Sequence, residues 1–456
     1  MSLSYLARKW RTSNLLKTVV TGTGLALGIR VLGVGLGYAL EIILARLLGP
    51  GDYGVYSLVI AWITLAALFA PLGLHHAVVR FIPEYIAQED GARLRGVIYG
   101  SGGVTVALGI VIAALGSGAL LLAARKIVIP GLPAWMLGLW LLPVFALLRL
   151  ILSIAVSLRR VVTAFGPPLV GAPLLILLFL AVATLLGIPL AALVAVAAAG
   201  LARIITLLWQ ALLLKRGGLP IPARGAPRFE MRLWLAVGLP LMFFDLFSII
   251  LRRADLLMVG ALMTPADAGI YGAALKTTGQ TIFLLTSVNA VIAPMLSSMH
   301  AKQNKAGLQR LLYLAAHISF WPALLFVAAL TLFSNFILGL FGPAFVAART
   351  PMIILGVGQL FNAATGVVVS LLIVTGNHNT VTKVFGVSAA LYILAAYVGI
   401  TLWGLTGAAA ATALIMALWN IWLAGLAWKR LGLHTSIIAA MRALPGMLKS
   451  GRAAAP

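Results

Sequence analysis

Four charged side chains interrupt an apolar run of the chain at residues 233–259. They are two acids, Asp245 and Asp255, and two arginines, Arg252 and Arg253. An ionisable group inside a membrane-length apolar run is costly, so such groups face a partner or a wet cavity. Asp245 and Arg252 share a helix face, and Arg252 and Asp255 are spaced to pair. The four residues are therefore either a salt-bridge cluster that fixes packing or the charged lining of a cavity.

A second pair of charges, Arg30 and Glu41, lies in the first apolar run at residues 19–45. Their spacing corresponds to about 16 Å of helix, against a hydrocarbon core of roughly 30 Å. Snorkelling can bring one of them to an interface, but not both. Arg30 therefore either snorkels to the cytoplasmic side or faces a cavity. Glu41 either forms an ion pair with a neighbouring helix or binds a coupling cation.

The composition defines the class of protein that must position these charges. The 456 residues are 62% hydrophobic and 9% charged, with a mean hydropathy of +1.10. A soluble domain of this size could not bury that much apolar surface. The apolar runs have the length of membrane-crossing helices, and the short alternating segments of a barrel are missing. We predict an all-α polytopic membrane protein.

The pattern predicts twelve spans in two lobes of six around a central cavity. Spans 1 to 6 lie near 19–45, 55–75, 97–123, 135–156, 168–187 and 190–213. Spans 7 to 12 lie near 233–259, 270–297, 311–333, 350–375, 384–402 and 406–428. The predicted domains are an N-terminal lobe at 1–213, a cytoplasmic linker at 214–232, a C-terminal lobe at 233–428 and a basic cytoplasmic tail at 429–456.

The basic residues predict the orientation, with both termini in the cytoplasm. With that orientation, the basic residues outside are Arg46, Arg125, Lys126 and Arg349. Those within spans are Arg30, Arg149, Arg203, Arg252, Arg253 and Lys276. All others are cytoplasmic, which is a strong positive-inside bias for an inner or cytoplasmic cell membrane. Topology and contact with anionic membrane lipids account for the net charge of +24, so no nucleic-acid partner is predicted.

An internal repeat supports the two-lobe prediction. Residues 48–56 (LGPGDYGVY) return as residues 263–271 (MTPADAGIY), with Pro, Asp, Gly and Tyr at the same relative positions. Each copy follows an acid-bearing apolar run and precedes another apolar run. In the next cytoplasmic loops the alignment pairs Gln88 with Gln303 and Arg95 with Arg310. Apolar spans in two similar halves are typical of transporters with a site between the halves.

Two spans also carry polar stripes, which indicate either a wet cavity or hydrogen bonding between helices. The stripe residues are Lys276, Gln280 and Ser287 in span 8, and Gln359, Asn362 and Ser370 in span 10. In the tail, the apolar spacing predicts a short interfacial helix that is cut by Pro445. Its stripe consists of Ile437, Ile438, Met441, Leu444 and Leu448.

No pattern for a catalytic centre is present. The chain has no cysteine, and it shows no nucleotide-binding loop, nucleophile elbow or paired carboxylates in a large soluble loop. We predict neither a cofactor nor a metal site, and no enzymatic activity.

Residues 44–56 (LARLLGPGDYGVY) resemble a signature of prokaryotic polysaccharide exporters, and residues 72–85 resemble the end of their second span. These exporters are the O-antigen and capsule-type flippases of the multidrug/oligosaccharidyl-lipid/polysaccharide (MOP) exporter superfamily. The resemblance implies a V-shaped pair of six-helix bundles. It also implies transfer of a polyprenyl-pyrophosphate-linked oligosaccharide from the cytoplasmic to the outer leaflet, in contact with other polysaccharide-assembly proteins.

The resemblance also implies roles for the charged residues. Arginines that hold the pyrophosphate in the lipid II branch carry over to Arg30 and to Arg252 or Arg253. Lys276, Gln280 and Asn362 complete the predicted substrate site. The coupling acid of the drug-exporter branch carries over to Glu41, Asp245 or Asp255, with H⁺ or Na⁺ as the ion. Twelve spans, where the lipid II branch has fourteen, favour the polysaccharide branch.

Two other functions stay open from the sequence. A cation-coupled multidrug exporter would have the same fold, although basic residues in the spans disfavour organic cations as substrates. A membrane enzyme of polysaccharide assembly would need a sizeable outer loop with catalytic residues, and the predicted outer loops are short.

Overall fold

The computed structural model describes residues 14–218 and 226–443, with side chains from residue 28 onward. This part of the chain is almost entirely helical and contains no strand, which confirms the all-α prediction. The helices of the first half are Asn14–Ala66, Leu74–Ala87, Gly91–Ala124, Leu132–Ser157, Val161–Gly166, Ala172–Leu185 and Ala192–Arg216. Those of the second half are Met231–Leu262, Pro265–Ala301, Lys305–Leu332, Ser334–Phe341, Arg349–Ala364, Val368–Val374 and His378–Leu431. A π-helical turn at Pro167–Gly171 and a 3-10 turn at Pro343–Ala348 connect neighbouring helices.

Two of the long helices each contain two spans. In Asn14–Ala66, Gly49 has φ 69° and ψ 175°, and in His378–Leu431, Gly404 has φ 57° and ψ −135°. Both residues leave the helical conformation, and positive φ is accessible to glycine at little cost. The described residues contain 10 apolar helices of membrane-crossing length, and these two breaks divide them into the twelve predicted spans.

Span 2 is itself broken, whereas span 8 is continuous. A turn at residues 67–73 separates the end of Asn14–Ala66 from Leu74–Ala87. The turn ends at Gly73 (φ 76°), where an added Cβ would lie 2.0 Å from the carbonyl oxygen of Gly238 on span 7. Only a glycine permits this backbone approach. Span 8 runs unbroken through Pro265–Ala301, so the two halves differ locally here.

Backbone contacts divide the chain into two compact units. Of the described residues, the first unit contains 14–40 and those within Trp62–Met242, and the second contains Glu41–Ala61 and 243–443. The predicted lobe, linker and tail boundaries remain predictions. Both copies of the repeat belong to the second unit.

The end of the linker is fixed within the first unit. The Arg228 N–H donates to the Ala92 carbonyl at 3.0 Å, and Gly96 lets the Arg228 carbonyl approach its Cα closely. The Glu230 carboxylate forms an ion pair with Arg93, with 3.1 Å between Oε1 and Nε. These contacts hold the start of span 7 in place, where the fully buried Trp234 packs in the apolar core.

Tyr85 connects this core to the linker. Its hydroxyl accepts a hydrogen bond from Trp234 Nε1 at 3.0 Å and donates to Glu230 at 3.4 Å. Burial raises the pKa of the Tyr85 phenol, so the hydroxyl keeps its proton and can donate to the carboxylate.

The loops between spans 2 and 3 and between spans 8 and 9 have the same local structure. Glu89 and Gln303 both have φ 54°. The next residues, Asp90 and Asn304, each accept a side-chain hydrogen bond from the backbone N–H three positions later. The structural repeat therefore pairs Glu89 with Gln303. The sequence alignment that paired Gln88 with Gln303 is wrong by one residue in this loop, because the local geometry, not residue identity, is what repeats.

The described part of the tail is helical from residue 437 and packs on the second unit. Ile437 and Ala440 are buried against Ala316, while Ile438 is 61% exposed and Met441 is 42% exposed. The predicted apolar stripe is therefore split between a protein-facing side and an outer side. Leu444, Pro445 and Leu448 lie outside the described residues.

Candidate functional site

Each copy of the repeated motif begins a helix. Thr264 and Asp267 form a capping box, in which each side chain bonds the backbone N–H of the other residue, and Pro265 occupies the first helical position. Pro50 and Asp52 take the corresponding positions after the break at Gly49. Proline at the first position and an acid in the first turn are favourable at helix starts. This explains the Pro and Asp of the motif.

The repeated glycines let the two helix starts touch. A Cβ on Gly54 would lie 1.7 Å from the Pro265 carbonyl oxygen, and a Cβ on Gly269 would lie 2.2 Å from that of Pro50. The contact is reciprocal, since each glycine meets the proline carbonyl of the other copy. A side chain at either position would collide with backbone, so this approach requires glycine.

The first acid, Glu41, lies in what we call the Glu41 cluster, consisting of Glu41, Tyr53 and Lys276. Tyr53 donates a hydrogen bond to Glu41 at 2.9 Å, and Lys276 forms an ion pair with the same carboxylate. The Glu41 side chain is 13% exposed and that of Lys276 is 29% exposed. Spans 1, 2 and 8 each supply one member.

The second acid lies in the Asp255 cluster, consisting of Asp255, Tyr271, Tyr392 and Thr412. Asp255 accepts hydrogen bonds from its neighbour's backbone N–H at 2.8 Å, from Tyr271 at 3.1 Å and from Thr412 at 3.2 Å. The Tyr392 and Thr412 hydroxyls lie 2.7 Å apart. Asp255 is 1% exposed, and the cluster unites spans 7, 8, 11 and 12. Arg253 adds an electrostatic interaction.

The Asp255 cluster contains more acceptors than its protons can satisfy in one arrangement. The Thr412 hydroxyl can also donate a hydrogen bond to the Ala408 carbonyl oxygen, which lies 2.9 Å away. A hydroxyl has one proton, so Thr412 can donate to Asp255 or to Ala408 but not to both at once. Burying a negative charge whose hydrogen-bond donors are neutral costs free energy, and a bound proton or small cation would offset that cost. The cluster is therefore chemically suited to bind one.

The other predicted charged residues, Arg30, Arg252, Arg253 and Asp245, lie in spans 1 and 7. The Arg30 guanidinium lies over the Phe165 ring at 4.4 Å, which is a cation–π contact within the first unit. Arg252 is exposed, and Arg253 and Asp245 are partly buried on span 7. The structure thus brings Glu41 and Lys276 together.

The polar stripes are engaged mostly in helix hydrogen bonds. Gln280 donates to the Lys276 carbonyl at 3.0 Å, and Ser287 donates to the Phe283 carbonyl. Ser370 donates to Asn289 across helices at 2.8 Å. Asn362 is partly buried, and its carbonyl accepts from Thr365 at 3.2 Å.

Several cluster members were not predicted from the sequence. Tyr271 is part of the repeat and Tyr53 lies within the first copy, so the motif offered a signal for both. Thr412 and Tyr392 follow Asp255 by more than a hundred residues in generic apolar spans, and no sequence pattern distinguishes them.

Comparisons with known proteins relate the chain to one protein family and to solved structures of transporters. The profile of the family described as "Polysaccharide biosynthesis protein" matches residues 19–300. No curated protein matches the sequence. Among solved structures, the inward-facing form of a multidrug resistance MATE family transporter of the MOP superfamily matches with TM-score 0.73 and 17% identity, over 91% of this chain and 99% of that one.

Two further structures show the same fold. An outward-facing multidrug resistance MATE family transporter of the MOP superfamily has TM-score 0.62 and 18% identity, over 91% of this chain and 95% of that one. A MOP superfamily transporter from Pyrococcus furiosus, described by the reverse polarity of its binding pocket, has TM-score 0.63 and 17% identity, over 91% of this chain and 96% of that one.

The chain is therefore a multi-pass membrane protein with the fold of the MOP superfamily transporters, which confirms the superfamily resemblance. Since the profile covers more than half of its length, the chain belongs to the polysaccharide biosynthesis protein family.

Proposed function

We propose that this protein is a flippase that moves a polyprenyl-pyrophosphate-linked oligosaccharide from the cytoplasmic to the outer leaflet of the cell membrane by alternating access. Membership in the polysaccharide biosynthesis protein family, on a transporter fold, is the observation that carries the proposal.

Cations inside the spans support an anionic substrate. A pyrophosphate is held best by charge-assisted hydrogen bonds, and we assign this role to three guanidinium groups within the spans, those of Arg30, Arg252 and Arg253. Arg30 is oriented by Phe165, and Arg252 is exposed on span 7. Lys276 is paired with Glu41, so its charge is already compensated and we assign it a smaller share of binding.

Asp255 is the residue that we assign to ion coupling. Its carboxylate is buried among hydroxyl and backbone donors, whereas Glu41 is neutralised by a lysine. Uptake and release of H⁺ or Na⁺ at Asp255 would change the charge of the second unit during the cycle. We infer a transport role without catalysis, since the described connections between helices are too short to form an extramembrane catalytic domain.

The test is leaflet transfer of a fluorescent polyprenyl-pyrophosphate sugar in proteoliposomes. We expect transfer by wild type and its loss in Arg252→Ala. Arg310→Ala removes an exposed arginine from the start of span 9 and serves as the matched control that keeps transfer. Wild-type transfer by a folded Arg252→Ala protein would remove Arg252 from the proposal.

The alternative function is multidrug export, which is favoured by the likeness to MATE family transporters. The same proteoliposomes, loaded with a fluorescent organic cation under a proton or sodium gradient, distinguish the two functions. Drug transport without sugar transfer would replace the flippase proposal.

A further inference from the structure

A groove opens at the ends of spans 3, 4 and 6 that are predicted to face the cytoplasm. It has a volume of about 440 Å³ and lies entirely within the first unit. Its apolar walls are formed by Ile98, Ile151, Ile154, Leu158 and Leu214. Volumes of a few hundred Å³ with mostly apolar walls and few polar groups are typical of sites for small amphipathic ligands.

The rim of the groove is basic. Arg95 and Lys215 line it beside Tyr99, which is 62% exposed. Arg160 lies next to the rim, where its guanidinium donates to the carbonyls of Leu214 and Gly218 at 2.9 and 2.6 Å. The described lining residues include no acid. The groove therefore combines an apolar interior with a cationic edge.

In the second half of the chain, the tail covers the corresponding surface, which we call the second-half groove. The register of the structural repeat, which places Glu89 with Gln303, places Arg95 with Gln309 and Tyr99 with Tyr313. The Gln309 side chain donates to the His434 carbonyl at 2.7 Å and accepts from the His434 N–H at 2.9 Å. Gln309 thus bonds both backbone polar groups of one tail residue, His434.

The tail then covers the apolar surface beyond Gln309. Ile437 and Ala440 are buried against Ala316, with Tyr313 and Phe320 packed beside them. His434 stacks on Trp428 at the end of span 12, with ring centroids 6.0 Å apart. An apolar segment with a polar attachment point is therefore what this fold places in the second-half groove.

The first-half groove differs from the second-half groove in the polar groups that its rim offers to a ligand. Over residues 14–218 and 226–443, no segment covers it. Arg95 stands where the second half has the neutral amide of Gln309, and Lys215 lines the same groove. An amide pairs with a peptide unit, whereas two cations favour a phosphate.

We propose that the first-half groove binds an anionic phospholipid of the cytoplasmic leaflet. An acyl chain would lie along the apolar walls, and the phosphate would sit between Arg95 and Lys215. The negative surface of that leaflet brings such lipids to basic segments. The proposal does not depend on the transported substrate.

The test measures phospholipid binding to the purified full-length protein in detergent by native mass spectrometry. Dioleoyl phosphatidylglycerol is the probe, and dioleoyl phosphatidylcholine is the zwitterionic comparison. The charge variant is Arg95→Gln with Lys215→Gln. The filling variant is Ala211→Trp, at an exposed position that lines the groove. The matched control is Lys302→Gln with Arg310→Gln, which removes two exposed charges elsewhere.

We expect the charge variant, which loses two cations, to weaken phosphatidylglycerol binding about thirtyfold, the filling variant to prevent it, and the control to bind like wild type. Phosphatidylcholine should bind more weakly to wild type. Unchanged binding in both the charge and filling variants would overturn the site. So would displacement of phosphatidylglycerol by a much lower concentration of a polyprenyl phosphate, which would assign the groove to a carrier lipid.

Discussion

The Glu41 cluster and the Asp255 cluster are built alike and differ in how the acid is neutralised. In each, an acid near the end of one span accepts a hydrogen bond from a tyrosine within a copy of the repeated motif, although the two tyrosines stand at different positions of the motif. Glu41 also has the ammonium of Lys276, while Asp255 has the hydroxyl of Thr412 and a backbone N–H.

This difference separates a structural charge pair from a site that can exchange an ion. A carboxylate paired with lysine keeps its charge and fixes two helices, and losing either partner is costly. A carboxylate held by hydroxyls can gain or lose a cation, since hydroxyl groups can reorient to donate or accept. A repeated motif therefore does not imply a repeated role. The residue that compensates each acid lies outside the motif: Lys276 for Glu41 and Thr412 for Asp255.

The largest expected loss of stability comes from separating the two helix starts that support both clusters. Gly54→Leu would drive a side chain into the Pro265 carbonyl, where even a Cβ would lie 1.7 Å from the oxygen. We expect destabilisation of about 3 kcal/mol or more, because backbone must move. Thermal unfolding of the purified protein, followed by its tryptophan fluorescence, measures the loss.

Gly51→Ala is the matched control for this prediction. Its Cβ meets nothing within 4 Å, so stability should change by no more than about 0.5 kcal/mol. If Gly54→Leu melted like Gly51→Ala, the close approach of the two motif copies would not exist in the folded protein.

The next largest effect should come from removing the lysine of the Glu41 cluster. Lys276→Met leaves a mostly buried carboxylate with Tyr53 alone, and we expect a loss of about 2 kcal/mol after allowing for partial exposure. Adding Glu41→Gln should restore most of that stability, since the uncompensated charge is then gone. A double variant as unstable as Lys276→Met would show that the two residues do not act as a pair.

A smaller effect compares the two phenols directly. Tyr271→Phe removes a donor from a carboxylate that is 1% exposed, and we expect a loss of about 1.5 kcal/mol. Tyr53→Phe should lose only about 0.5 kcal/mol, because Lys276 still compensates Glu41. The exposed Tyr397 supplies the control Tyr397→Phe. Equal losses at Tyr53 and Tyr271 would argue against a difference in charge compensation between the clusters.

The sequence predicted the fold better than it predicted the site. Apolar runs of membrane length predicted all twelve spans, because burial in lipid requires long uninterrupted hydrophobic segments. The turn at residues 67–73 was not predicted, since its cause is the approach of Gly238 from a distant span. The amino-acid composition of residues 67–73 does not indicate this contact with Gly238.

The same limit applies to the charged residues. Glu41, Asp255 and Lys276 were visible as charges in apolar runs, but their partners were not. Thr412 and Tyr392 join Asp255 only because spans 11 and 12 pack beside span 7. A pairing of Arg252 with Asp255 was allowed by spacing, and the structure adds three neutral donors around Asp255 that spacing along one helix cannot show.

A small effect on stability is also expected for Asp255→Asn, the variant that tests most directly how the two acids differ. The amide keeps one oxygen for the backbone N–H of Leu256, and its NH₂ group replaces the oxygen that faces Tyr271 and Thr412. Thr412 can then direct its proton to the Ala408 carbonyl and accept from the amide, so stability should change by less than about 1 kcal/mol.

Transport should respond differently from stability in this variant. Asp255→Asn cannot take up a proton and lacks the negative charge that would hold Na⁺, so leaflet transfer of the lipid-linked sugar should no longer depend on a proton or sodium gradient. The variant combining Glu41→Gln with Lys276→Met should keep that dependence, because the Asp255 cluster is intact. Proteoliposomes with and without each gradient provide the measurement. Full gradient dependence in Asp255→Asn, or its loss in the Glu41 and Lys276 double variant, would move the coupling role away from the hydroxyl-held acid, and burial among neutral donors would then be a feature of packing alone.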